Sequence, residues 1–265
     1  KIFFEKNALM YLEEMENVER VMIVCDSDVA QLGYCDTVHE VLIRRKNDVK
    51  IVVFSHVESN PSTNTVYAGT KVMVDFKPDT VIALGGGSVM DAAKAMRIFY
   101  EYPETSFAAA KRKFMDIRKR TYKFSKPEKT QFVCIPTISG TGSEVTPFAV
   151  ITDSDTHVKY PLADYALIPN VAIIDPQFVL SIPASVRADS GMDILTHAIE
   201  SYVSVMASDY TRGLSLQAIK LVFNYLEKSV RTPDMESCEI IHNSSTLAGM
   251  AVANAFLGIC HSVSH

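Results

Sequence analysis

The sequence predicts a chain in two parts: an α/β domain with a doubly wound, mostly parallel sheet over residues 1–180, then an all-α domain over residues 181–265. Three observations carry this prediction. Short continuous apolar runs recur through the first part, as expected of strands covered on both faces. Segments with helical spacing separate those runs. After Ser181-Ile182-Pro183 the strand signals stop and long helical patterns take over.

Residues 21–25 (VMIVC) form the first run, with Asp26 at its carboxyl end. Residues 37–45 place Val38, Val41 and Leu42 at helical spacing, and residues 51–54 (IVVF) give the next strand. The loop at 59–62 (SNPS) contains Asn60; beyond it Asn64 can cap a helix that buries Val66, Thr70, Met73 and Val74. Residues 81–84 (VIAL) then complete a β-α-β-α-β series, half of a doubly wound sheet.

This strand breaks into Gly85-Gly86-Gly87-Ser88, followed by Ala92, Ala95, Met96 and Phe99 at helical spacing. Ser88 as N-cap with Asp91 three residues on resembles a capping box. Three glycines beside a helix N-terminus leave backbone N–H groups open to an anion such as a pyrophosphate; an ordinary tight turn would use the same residues. The position at a strand's carboxyl end favours the nucleotide reading. Asp26 is then the natural partner for ribose hydroxyls, favouring NAD over NADP, unless it only caps a turn.

Residues 132–136 (FVCIP) form a further strand, ending in the hydroxyl- and glycine-rich run from Thr137 through Ile138 and Thr141 to Glu144. Such a run offers short donors close to a ligand, or is simply a polar loop. Residues 148–151 and 171–174 read as strands, with Lys159-Tyr160-Pro161 between them. In the second part Leu214, Ala218, Leu221, Val222 and Tyr225 repeat with helical period.

At 48% hydrophobic, 265 residues suffice for sizeable cores, and the formal net charge of −5 gives no overall field to attract nucleic acid or an anionic membrane. The basic run KRKFMDIRKR (111–120) reads as a solvated or subunit-facing helix surface, since the rest of the chain is acidic. The five cysteines contain no C-x-x-C pair, which fits a reducing, cytoplasmic setting. Residues 247–260 are apolar but interrupted by Asn254, and read as a buried helix rather than a bilayer span. No signal peptide is visible, and an opening on Lys1 suggests a piece of a longer polypeptide.

Asp193 and His197 are four residues apart, about 40° around a helix, so carboxylate and imidazole can reach one point. His261 and His265 repeat the spacing. Oxygen and nitrogen donors without thiolate suit Fe²⁺ or Zn²⁺, though a lone Asp or His on a helix more often meets solvent.

In chain order, NPSTNT, LGGGSVMDAAK, PTISGTGSEVTPFAV, KYPLADYALIPNVAIIDP, GMDILTHAIESYVS and ANAFLGICHSVSH resemble the iron-dependent (group III) alcohol dehydrogenases. FMDIRKR and KYPLADYAL resemble in particular the alcohol dehydrogenase half of bifunctional aldehyde-alcohol dehydrogenases. The likeness implies an N-terminal NAD-binding domain, a C-terminal helical domain and a metal, Fe²⁺ or Zn²⁺, in the cleft between them. It implies Asp193, His197 and His261 as metal ligands, and His265 as the catalytic histidine near the nicotinamide that carries a proton or positions substrate. Cofactor contacts implied are Asp26, Gly86, Gly87, Ser88, Thr137 and Lys159; Asn60, Gly85, Asp91, Ile138 and Thr141 lie in the same motifs and are expected beside them.

The implied reaction is hydride transfer between NAD and a short-chain primary alcohol or aldehyde, in a homo-oligomer, with an aldehyde dehydrogenase domain covalently linked in the parent chain. No covalent intermediate is needed, so Cys260 reads as core packing. Two departures stand out: Val89 replaces the Pro usual after GGGS, and Ile138 replaces a Thr. The resemblance further implies a fourth ligand, a histidine in a P-H-G motif beyond His265. Two rivals remain, a metal-dependent lyase or cyclase of the dehydroquinate synthase type and a non-catalytic cofactor-binding or assembly segment.

Overall fold

The computed structural model describes residues 1–112, 124, 127 and 129–264. The strands are β1 (Ile2–Phe4), β2 (Arg20–Val24), β3 (Lys50–Phe54), β4 (Thr80–Gly85), β5 (Gln131–Pro136), β6 (Phe148–Thr152), β7 (Lys159–Ala163) and β8 (Val171–Ile174). The helices between them are α1 (Tyr11–Glu14), α2 (Ser27–Gln31), α3 (Tyr34–Leu42), α4 (Thr63–Phe76), α5 (Gly87–Glu101) and α6 (Phe107–Arg112). Then come α7 (Ala184–Val203), α8 (Asp209–Arg231), α9 (Met235–Ala255) and α10 (Ile259–Ser264). The basic run expected on a helix surface lies, from residue 113 onward, outside the described residues, as does His265.

Six strands form one sheet in the order β1-β8-β5-β4-β2-β3, with every neighbouring pair parallel. Side-chain alternation explains why these runs are apolar throughout. Met22, Val24, Val81, Ala83, Phe132 and Cys134 pack on one face with α4 and α5 residues such as Met73 and Met96. Val21, Ile23, Ile82, Leu84, Val133 and Ile135 pack on the other with Val38 and Leu42 of α3. A strand buried on both faces has no polar phase to show.

The chain runs outward from β2 to β3 and then returns to β4 on the opposite side of β2. This reversal leaves a crevice at the carboxyl ends of β2 and β4, the usual place for a ligand in such sheets. Asp26 and the Gly85–Gly87 turn stand there.

Several local expectations are corrected. The strand read over 148–151 is present as β6, and it lies outside the main sheet, paired antiparallel with β7 in a two-stranded ribbon. Only Ala149 and Ile151 of β6 are buried, the alternation of a strand with one covered face. The cap of α4 is Ser62, whose hydroxyl accepts from the Thr65 N–H, rather than Asn64. The helix expected over 247–260 is two: α9 ends at Ala255, Phe256 turns with φ 65°, and α10 doubles back. Cys260 is therefore exposed rather than in the core.

From Ala184 the described chain is helical. Ile194, Ala198, Ala218, Val222, Ile241 and Ala248 form its own cluster between α7, α8 and α9. Arg187, buried in the first turn of α7, donates to the carbonyls of Val179, Leu180, Ile182 and Ser229, fastening the incoming segment to the helices. Among the described residues no helix is long and apolar enough to cross a membrane.

Candidate active site

Three neighbouring strands end in the residues expected to hold a cofactor. Asp26 stands two residues beyond β2, Gly85 closes β4 with Gly86 next, and Thr137 follows β5, its N–H donating to the Gly85 carbonyl. Asp26 is the N-cap of α2, its Oδ1 accepting from the Val29 N–H at 2.7 Å. The turn-capping role is thus present.

The glycine triplet is explained by what packs on it. A Cβ on Gly87 would lie 2.7 Å from Thr141 Cγ2, one on Gly86 3.3 Å from Ile138 Cδ1, and one on Gly85 2.6 Å from Val89 Cγ2. Close approach of the Thr137–Gly142 loop and of Val89 requires the missing side chains. The helix that follows is capped by Gly86 in extended conformation, φ −82° and ψ −170°, with no side-chain cap.

The capping box expected of Ser88 and Asp91 is not formed. Asp91 Oδ1 accepts from the Ser143 hydroxyl at 2.9 Å and Oδ2 from the Val150 N–H at 2.9 Å, a tie from α5 to β6 that outcompetes the helix end. Fully buried Lys94 extends the tie, donating to Ser143 Oγ, the Thr146 carbonyl and the Phe148 carbonyl. Burial holds its ammonium below the ordinary lysine range, against the opposing field of Asp91.

A cavity of about 640 Å³ opens between the carboxyl edge of the sheet and the helices. Asn60, Gly87, Ser88, Asp91, Thr141 and Lys159 line one side and Asp193, His197 and His261 the other. Asp26, Gly85, Gly86, Thr137 and Ile138 do not line this cavity and continue along the strand ends. Asn60, in left-handed conformation at φ 57°, donates its N–H to Ser88 Oγ at 3.3 Å.

Asp193, His197 and His261 each present a donor atom within 4.8 Å of the others. His261 Nε2 is 3.4 Å from Asp193 Oδ1 and His197 Nδ1 is 3.7 Å from Asp193 Oδ2. Such separations suit one ion about 2.0–2.2 Å from each donor. His197 supplies a separate test: it is 6% exposed, and its Nδ1 is buried without a hydrogen-bond partner. A buried imidazole nitrogen left unpaired is costly, and a metal would satisfy it. The ring also contacts the Gly140 carbonyl, the kind of support that orients a ligating histidine. The residues fit a divalent metal.

The two imidazoles are shifted in opposite directions. Burial lowers the pKa of His197, with Asp193 opposing, so the ring stays neutral as a ligand must. His261 is shifted upward by its contact with Asp193, against burial, and then by Glu200. Burial raises Glu200, but the contacts from His261 and from the Gly258 and Cys260 N–H groups outweigh it and hold it low. Glu200 and Gly140 escaped the reading of the sequence. The signal for Glu200 was present, because 193, 197 and 200 stand at i, i+4 and i+7 on one face.

Known proteins resemble the chain over its whole length. Residues 1–176 match the family model for iron-containing alcohol dehydrogenase, and residues 187–265 match that for the Fe-containing alcohol dehydrogenase family, C-terminal. The chain is 58% identical over 266 aligned residues to an aldehyde-alcohol dehydrogenase of Streptococcus pneumoniae, covering all of this chain and 30% of that protein. It is 41% identical to an NADPH-dependent butanol dehydrogenase of Clostridium saccharobutylicum, over all of this chain and 66% of that one. An iron-containing alcohol dehydrogenase structure from Thermococcus thioreducens superposes with a TM-score of 0.89 at 31% identity, covering all of this chain and 68% of that chain. These matches favour a dehydrogenase over a lyase or cyclase.

Proposed function

The chain belongs to the iron-containing alcohol dehydrogenase family, and from that premise we propose that it carries the alcohol dehydrogenase site of a longer aldehyde-alcohol dehydrogenase. In this reading it interconverts short-chain primary alcohols and aldehydes with NAD, in a cytoplasmic homo-oligomer, with its domain boundary near residue 180. The observation that carries the proposal is the convergence of Asp193, His197 and His261 on a cavity whose other wall is a nucleotide-type strand edge.

Asp193 and His197 from α7 and His261 from α10 would hold Fe²⁺ or Zn²⁺, which supplies Lewis-acid polarisation of the substrate oxygen. The glycine turn and the N-terminus of α5 receive the pyrophosphate. Oδ2 of Asp26 accepts from the ribose and disfavours a 2′-phosphate, while Lys159 and Thr141 flank the nicotinamide end. Phe148, Val150, Val252 and Leu257 give the cavity an apolar lining suited to a short alkyl chain and to excluding water at the moment of hydride transfer. His265, four residues beyond His261 in sequence, is assigned the hydroxyl proton.

The test is isotopic. Full-length protein loaded with Fe²⁺ and given acetaldehyde with NADH deuterated at C4 should yield ethanol carrying one deuterium at C1. An aldehyde-independent NADH oxidation, or ethanol without the label from either face of the nicotinamide, overturns the reading.

A further inference from the structure

The contact between Glu200 and His261 points to a function for a residue that the reaction itself does not use. Glu200 sits one turn after His197 on α7, is 6% exposed, and divides its two oxygens. Oε2 lies 2.5 Å from His261 Nδ1, and Oε1 accepts from the Cys260 N–H at 2.7 Å. A Cβ at position 258 would fall 2.9 Å from Oε1, so glycine there is what admits the carboxylate beneath the first turn of α10.

The carboxylate thus meets the His261 ring at Nδ1. The other ring nitrogen, Nε2, is the atom that faces Asp193 Oδ1. A metal-binding histidine whose second nitrogen donates to a carboxylate has its tautomer and ring plane fixed, and its basicity raised. His197 is supported differently, by the Gly140 carbonyl. One ligand is therefore set by a loop of the α/β part and the other by a side chain of the helical part.

We propose that Glu200 is the positioning residue of the metal centre, acting through His261 to set the affinity of the site for its divalent ion. This rests on the reading of Asp193, His197 and His261 as ligands. Glu200→Gln keeps an oxygen for the Cys260 N–H but removes the charge. In the full-length protein, chelator competition with Fe²⁺, Zn²⁺ and Co²⁺ should show affinity lowered about 10- to 100-fold. The melting temperature of the metal-free protein should stay within a degree of the parent. In a His261→Ala background, Glu200→Gln should leave the residual affinity unchanged, because its action passes through that ring.

Equal affinity in the parent and Glu200→Gln proteins, or an undiminished effect of Glu200→Gln without His261, overturns the proposal. A parent protein that takes up one equivalent of metal keeps the ligand assignment intact in either case. A parent that takes up none removes the assignment itself. If Glu200→Gln lowers the metal-free melting temperature enough to account for the lost affinity, its role is structural and the proposal fails; Glu200→Asp, which restores the charge, must then fail to rescue affinity.

Discussion

The imidazoles of His197 and His261 stack with ring centroids 4.4 Å apart and planes 20° apart. One comes from the 20-residue α7 and the other from a six-residue helix 64 positions later, and nothing but the fold brings them together. The turn at Phe256 redirects the chain after α9 and lays α10 against α7. Asp193 then faces both rings from the same helix as His197.

The loop between the glycine turn and the metal site depends on a backbone-to-backbone contact. Gly142 has φ 63°, and a Cβ on it would meet Gly249 Cα of α9 at 2.6 Å. Gly142→Ala should destabilise the protein by about 2–4 kcal/mol in urea unfolding and raise the KM for NAD, because the loop must move off the helix. Gly213, with nothing within 4 Å of its added Cβ on α8, is the control: Gly213→Ala should be stabilising by about 0.5–1 kcal/mol. A neutral Gly142→Ala would mean the contact is slack.

His242 makes stability pH-dependent. Its ring is fully enclosed, its Nδ1 pairs with Ser139 Oγ at 2.8 Å, and burial pushes its pKa down to about 4. Between the ordinary histidine value and about 4 the unfolded chain takes up a proton that the folded chain refuses, so stability is lost as pH falls through that window. His242→Gln should flatten this dependence, by at most about 1.4 kcal/mol per pH unit, in urea midpoints measured from pH 7 to 4.5. Parallel profiles for the two proteins would show that the ring does not control the slope.

Cofactor choice is assigned to Asp26. Asp26→Gly should cost only a few tenths of a kcal/mol as a helix cap, yet raise kcat/KM with NADP relative to NAD about 10-fold or more. An unchanged ratio would reduce Asp26 to its contact with the Val29 N–H.

Much of the α/β part was legible because strands buried on both faces leave unbroken apolar runs, as in residues 21–25, 81–84 and 132–136. β1 is three residues long and only Phe3 is partly buried, too little to stand out. β7 carries Pro161 and is buried only at Leu162 and Ala163, which hides its strand period. At the site, Asp193 and His197 could be paired from spacing alone. Asp91 was misread because a local capping pattern and a distant partner compete for one carboxylate, and only the packed chain decides between them. Cys260 was misplaced for a related reason: its apolar neighbours spread over two helices joined by a non-glycine residue at positive φ.

If Asp193, His197 and His261 hold the metal that the proposed reaction requires, removing the ion abolishes turnover. The most direct measurement strips the full-length protein with a chelator and returns Fe²⁺ or Zn²⁺ in steps while acetaldehyde-dependent NADH oxidation and bound metal are followed together. Activity should rise in proportion to metal and level off at one equivalent per site, while His197→Ala binds less than a tenth as much and stays inactive. Full activity in the stripped protein, or one tightly bound equivalent in His197→Ala, would show that this cluster does not hold a required ion.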